Sequence, residues 1–162
     1  VTSTPTETDL HFLRQVIALS GQARAQGHHP FAALVVDDRG EVVAEAVNGS
    51  RPPEGDPTRH AELVAVAQAA RRLDPAQLRR CTLYSSAEPC AMCAGAAYWC
   101  GVGRVVYALS EARLLTLTGS HPENPTLALP CREVFARGQR AVEVLGPALE
   151  DEAAAVHVGF WD

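Results

Sequence analysis

The triplet His60-Ala61-Glu62 and the downstream run Pro89-Cys90-Ala91-Met92-Cys93 constrain this chain more than anything else in it. A fold that uses both must bring one imidazole and two thiols from separate segments to a common point, with a carboxylate beside them. A Cys-x-x-Cys pair alone would suit a structural zinc, a redox dithiol or neither. The structural reading lacks a second pair, because Cys81, Cys100 and Cys131 stand singly, and the redox reading leaves His60 and Glu62 without a role. Two cysteines three apart at the start of a helix put both sulfurs on one side, where free N–H groups and the helix dipole favour thiolate. His60 and Glu62, two apart, can converge at a first helical turn, so two helix N-termini are expected to meet. Two thiolates and a neutral imidazole leave the fourth position of a tetrahedral Zn²⁺ open to water, the layout of a catalytic site. The metal makes such water nucleophilic near neutral pH, and Glu62 is the carboxylate expected to carry its proton.

Composition narrows the class. With 162 residues, 47% of them hydrophobic, and no long apolar run, the chain is expected to form one domain over 1–162 with its own core and no membrane span. Val1 to Asp9 is polar and lacks the order of a secretory signal, so a cytoplasmic location is expected. Five cysteines, an odd number, fit reduced thiols and metal binding better than a disulfide framework. A net charge of −5, with all fourteen cations scattered arginines, argues against a broad nucleic-acid surface.

Periodicity predicts a helix from Thr6 to Ala25, a buried strand Phe31 to Val36, a hairpin turn at Asp37-Asp38-Arg39-Gly40 and a returning strand Glu41 to Asn48. Asp56-Pro57 reads as an N-cap and first-turn proline for a helix through His60 to Leu73, and Pro89 as a first-turn proline for a helix Cys90 to Cys100. Strands Thr82 to Ser86, Val102 to Ala108 and Ala141 to Leu145 follow, with helices Glu111 to Thr118 and Leu149 to Val158. Gly119 to Pro130 is the longest irregular stretch. The order implies an α/β protein, a mixed sheet with helices on both faces.

His60-Ala61-Glu62 with Pro89-Cys90-Ala91-Met92-Cys93 resembles the signature of the zinc-dependent cytidine and deoxycytidylate deaminase superfamily. Pro30 to Val36 is similar to its first strand, Asn48 to its base-contacting asparagine, and Ser86-Ala87-Glu88 to the turn before its cysteines. The stretches Gly95 to Trp99 and Gly103 to Ala108, with the terminal Gly159-Phe160-Trp161, resemble the guanine-deaminase-like branch. Two departures stand out: Ala32 replaces a usual glycine, and His121 stands near a usual acid, with Glu123 the nearest carboxylate. The resemblance implies a three-layer α/β/α cytidine-deaminase-like fold with a mixed five-stranded sheet. It implies zinc on His60, Cys90 and Cys93, Glu62 as proton shuttle, and substrate contacts from Asn48, Phe31, Ala61, Glu123, Phe160 and Trp161. It also implies a homodimer with residues 159–162 capping the active site, in some members by exchange between subunits. The expected reaction is hydrolytic deamination of a free nucleobase, guanine first, then cytosine, 5-methylcytosine, isocytosine or a triazine. Adenosine-to-inosine deamination of tRNA and a catalytically silent zinc scaffold are the competing readings.

Overall fold

The computed structural model describes residues 3–162, so Val1 and Thr2 of the polar N-terminal segment lie outside the described residues. The first helix, α1 (Glu7–Ala25), starts at Thr6, whose hydroxyl accepts from the Asp9 N–H while the Asp9 carboxylate accepts from the Thr6 N–H. Its buried residues Phe12, Leu13, Val16 and Ile17 follow the helical spacing. Strands β1 (Ala32–Val36) and β2 (Val42–Val47) form the expected antiparallel hairpin, with a register shift between Val35 and Val36. Then come α2 (Ala61–Arg72), the short α3 (Pro75–Leu78), β3 (Thr82–Ala87), α4 (Ala91–Cys100), β4 (Arg104–Leu109), α5 (Glu111–Thr118), α6 (Cys131–Ala136), β5 (Glu143–Leu145) and α7 (Glu150–Ala155).

The strands lie in the order β2-β1-β3-β4-β5. Strand β1 is antiparallel to β2 and β3, whereas β3, β4 and β5 run parallel, giving the mixed five-stranded sheet. Period-two alternation divides its side chains between two cores. Ala33, Val35, Leu83, Val105 and Tyr107 pack beneath α2, α4 and α6. Ala32, Leu34, Val36, Tyr84, Val106 and Ala108 pack against α1 and α7 on the other face. The result is three α/β/α layers.

Two helix starts differ from expectation. Asp56 does not cap α2: its carboxylate accepts from the Thr58 N–H and hydroxyl at 2.9 and 2.8 Å, a local turn that competes with helix entry. Helix α2 begins at Ala61 with His60 itself as N-cap, and α4 begins at Ala91 with Cys90 as N-cap, so Pro89 precedes the helix. Helices α3 and α6 were not anticipated; for α3 the Asp74-Pro75-Ala76-Gln77 capping box was the available signal.

Because β1 is antiparallel to β3, its start lies beside the end of β3, and Ala32 also pairs with Val47 at the end of β2. Leu109 at the end of β4 pairs with Ala87. The segments around Phe31, Asn48, Glu88 and Ser110 therefore gather at one rim of the sheet, where ligands of open α/β sheets commonly bind.

Candidate active site

At that rim the N-termini of α2 and α4 meet. His60 and Cys90 are their N-caps, without a side-chain capping bond, and Glu62 and Cys93 sit inside the first turns. The His60, Cys90 and Cys93 donor atoms lie within 4.8 Å of one another. Cys90 Sγ is 3.5 Å from His60 Nδ1, and Cys93 Sγ 3.9 Å from Glu62 Oε2. A tetrahedral zinc with its usual Zn–S and Zn–N bonds sets such donors about 3.5–4 Å apart, so the donor set fits this metal in type and spacing.

The protonation pattern suits a cation. A hydrogen bond from Cys93 pulls the Cys90 thiol down to about 4, assisted by His60, against the opposing effect of burial. The same bond, with burial and the Glu62 charge, holds the proton on Cys93. Hydrogen bonding to Cys90 raises the His60 pKa. Zinc takes thiolates and neutral imidazole, so binding it releases these shared protons. Glu62 is buried, and burial, reinforced by Cys90, pushes its carboxyl up to about 7. A group poised there can both take and give a proton near neutrality.

A cavity of about 230 Å³ opens beside these groups. Phe31, Asn48 and Glu123 line it with His60, Glu62 and Cys90; Ala61, Phe160 and Trp161 do not. Ala61 is the first residue of α2, so its N–H belongs to the helix end that has no intrahelical acceptor. Asn48 is buried, and its Oδ1 accepts from the Ser50 N–H at 2.9 Å and the Ser50 hydroxyl at 2.6 Å. The Asn48 amide is thereby oriented, which leaves its NH₂ as the group for other partners.

The Glu123 carboxylate is held by Arg51, with Nε to Oε1 and Nη2 to Oε2 both at 2.9 Å, and by His29 Nε2 at 3.2 Å. These contacts hold Glu123 down to about 2. Burial lowers His29, with Glu123 opposing. The tail forms a second layer behind this wall. Trp161 is buried, donates from Nε1 to His157 Nδ1 at 3.1 Å, and lies 5.1 Å from the His29 ring and 6.0 Å from Phe31. The Arg51 and Arg24 guanidinium groups lie over the Phe160 ring at 4.9 and 5.5 Å. The tail thus packs on its own chain, and Arg24 anchors it by donating to the Val156 and Val158 carbonyls at 2.7 Å.

Several residues at the site escaped the sequence reading. His29 carries no spacing signal, and Arg51 sits in a turn-rich loop. Glu88 is buried and accepts from the Glu111 N–H at 3.1 Å and the Cys131 N–H at 2.9 Å, tying the starts of α5 and α6 to the cysteine turn. Glu111, at the first position of α5, lines the cavity; burial and the nearby Cys90, Glu88 and Glu62 push its carboxyl up to about 7. An acid opening a helix is ordinary in sequence, which hides a role of this kind.

Comparison with known proteins agrees with this geometry. Residues 6–109 match the model of the cytidine and deoxycytidylate deaminase zinc-binding region. The "Probable cytosine deaminase" of Schizosaccharomyces pombe is 45% identical over 157 residues, spanning 96% of this chain and 94% of that protein. The tRNA-specific adenosine deaminase of Haemophilus influenzae is 36% identical over 105 residues, 65% of this chain and 60% of that one. The solved guanine deaminase from Nitrosomonas europaea superposes with a TM-score of 0.73 at 30% identity, covering 90% of this chain and 80% of that one. With His60, Cys90 and Cys93 as its zinc site and Glu62 buried beside them, this chain belongs to the cytidine and deoxycytidylate deaminase family of zinc-dependent hydrolases.

Proposed function

We propose that this deaminase acts on a free nucleobase, guanine, replacing the exocyclic amine by the oxygen of water and releasing ammonia. The C–N bond to the amine breaks, a C–O bond forms at the same carbon, and no electrons leave the pair of reactants. When bound by His60, Cys90 and Cys93, zinc supplies the charge that makes a water nucleophilic near neutral pH. Glu62 takes one proton of the attacking water and delivers it to the ring nitrogen beside the amine-bearing carbon, then carries the remaining hydroxyl proton to the departing amine, which leaves as ammonia. The oriented Asn48 NH₂ donates to a carbonyl of the base, the Ala61 N–H steadies the reacting edge, and Phe31 supplies an apolar wall.

The observation that carries guanine over smaller bases is Glu123. It is an acceptor-only group in the cavity wall, and Arg51 and His29 occupy three of its roughly four lone-pair sites. One acceptor position remains for a ring N–H, and guanine offers more of these than cytosine. Similarity to the Nitrosomonas guanine deaminase supports the same reading. Cytosine is the second reading, favoured by the 45% identity to the Schizosaccharomyces protein along nearly the whole chain. Ammonia release from guanine, guanosine, cytosine, 5-methylcytosine, isocytosine, adenine and a tRNA anticodon stem decides between them. Guanine as the fastest substrate is the expected result; a faster cytosine or tRNA reaction refutes it.

The chain is further proposed to work as one domain in which residues 159–162 cap the cavity through His29 and Phe31, and as a homodimer. Support for the dimer is the 86% exposure of Trp99 on α4, a large apolar side chain left in solvent. Light scattering should return twice the chain mass, and a monomer would refute it. No described helix is long and apolar enough to cross a membrane. A cytoplasmic location is part of the same reading, supported by five free cysteines, and cell fractionation tests it.

A further inference from the structure

Four carboxylates line the cavity: Glu62, Glu88, Glu111 and Glu123. Three are engaged. Glu62 faces Cys93 beside the zinc-ligand cluster, Glu88 accepts one backbone N–H on each carboxylate oxygen, and Glu123 is clamped by Arg51 and His29. Glu111 has neighbours that act on it through charge and burial, with no hydrogen bond to its carboxylate among the described residues. Its direction is set by α5, because Leu114, one turn further on the same helix face, lines the cavity too. The Ser110 hydroxyl caps this helix at 3.2 Å, and Glu88 holds the Glu111 N–H, so the carboxylate projects from a braced backbone. It shares the cavity wall with His60, Glu62 and Cys90.

A carboxylate partly withdrawn from water and lacking a protein partner is costly unless something donates to it. Substrate chemistry supplies the donor. In guanine the amine-bearing carbon lies between a ring nitrogen that can take the proton carried by Glu62 and a ring N–H. In cytosine the corresponding second neighbour is a C–H, which needs no acceptor. We propose that Glu111 is a specificity-determining residue that accepts the ring N–H adjacent to the amine-bearing carbon, selecting bases with a cyclic guanidine unit over those with a C–H there. This rests on the guanine reading above, and assigns Glu111 the near edge of the base while Glu123 serves the cavity wall.

The test compares guanine with 1-methylguanine, in which that N–H is replaced, on zinc-loaded wild type, Glu111→Ala and Glu111→Gln. Wild type should favour guanine by at least about a hundredfold in kcat/KM, because a site built for an N–H rejects the analogue lacking it. In Glu111→Ala the preference should shrink at least about tenfold, chiefly through KM for guanine, with zinc content unchanged. Glu111→Gln keeps an acceptor oxygen and should fall between the two. An unchanged preference in both variants overturns the assignment. So does an equal loss on both substrates, which would mark a role in supporting the metal site or the α5 dipole. Should Glu111→Ala fail to fold, the preference in Glu111→Gln decides by itself. Wild-type protein that turns over neither base, yet deaminates another, removes the guanine reading itself, a result distinct from either failure of Glu111.

Discussion

Replacing Glu88 by glutamine tests whether the cavity rim is held by one buried carboxylate. Glu88 is 7% exposed and accepts the first N–H of α5 from Glu111 at 3.1 Å and the first N–H of α6 from Cys131 at 2.9 Å. Hydrogen bonds to a charged group are worth about 1.5–3 kcal/mol each. Glutamine keeps one acceptor oxygen but turns an NH₂ toward the other N–H, donor against donor. The substitution should therefore forfeit one charged bond and weaken the second, a loss of about 2–3 kcal/mol. For a chain of this size 1 kcal/mol shifts Tm by about 2–4 °C, so zinc-loaded Glu88→Gln should melt about 5–10 °C lower. Glu88→Ala, which abandons both donors, should fall further. Hydrogen exchange at the Glu111 and Cys131 amides should accelerate ahead of the sheet, because the local tie is lost before the global fold. A Glu88→Gln protein melting within about 1 °C of wild type, with both amides still protected, would refute the reasoning.

Glu62→Gln should retain zinc by metal analysis and lose kcat by at least about a hundredfold, since the shuttle disappears while the ligands stay; near-normal turnover would remove Glu62 from the mechanism. Asp9 is expected to govern acid stability. Burial alone would raise its pKa, yet two bonds from Arg104 at 2.6 and 2.8 Å, with the Thr6 N–H and the Tyr84 hydroxyl, hold it well below the usual carboxylate range. A depressed folded pKa contributes stability that is present above the unfolded value of about 4 and is lost as pH falls through the folded one. Asp9→Asn should cost about 3 kcal/mol at pH 7 and flatten the urea midpoint against pH below about 4; an unaltered slope there would exclude this pair. Removing Gly159 to Asp162 should raise KM for the base several-fold and leave zinc bound, because Phe160 and Trp161 back His29 and Phe31 without touching the metal ligands. Unchanged KM and kcat would sink the cap.

Much of the fold was legible because its segments carry local signals. The apolar spacing in α1, the unbroken apolar run of β1 and the returning hydrophobic residues of β2 report burial through nearby residues. The same logic failed at Asp56, where an aspartate-proline pair imitates a helix start while the side chain closes its own turn with Thr58. It also passed over α6, whose first N–H is satisfied by Glu88 from a distant turn rather than by a neighbouring cap. Local sequence records local capping; it is silent when the partner comes from elsewhere.

The site divides along the same line. His60, Cys90 and Cys93 announce a zinc site from sequence alone, and Glu62 its proposed proton carrier, because metal geometry demands particular donor types at short, fixed offsets. Tertiary structure decided what surrounds them. His29 and Arg51 reach Glu123 across 94 and 72 positions, and Glu111 joins the cavity because β4 delivers α5 to the rim where β1 starts and β3 ends. Such walls are made by chain segments meeting at a sheet edge, and no spacing in the sequence encodes which faces will look inward there.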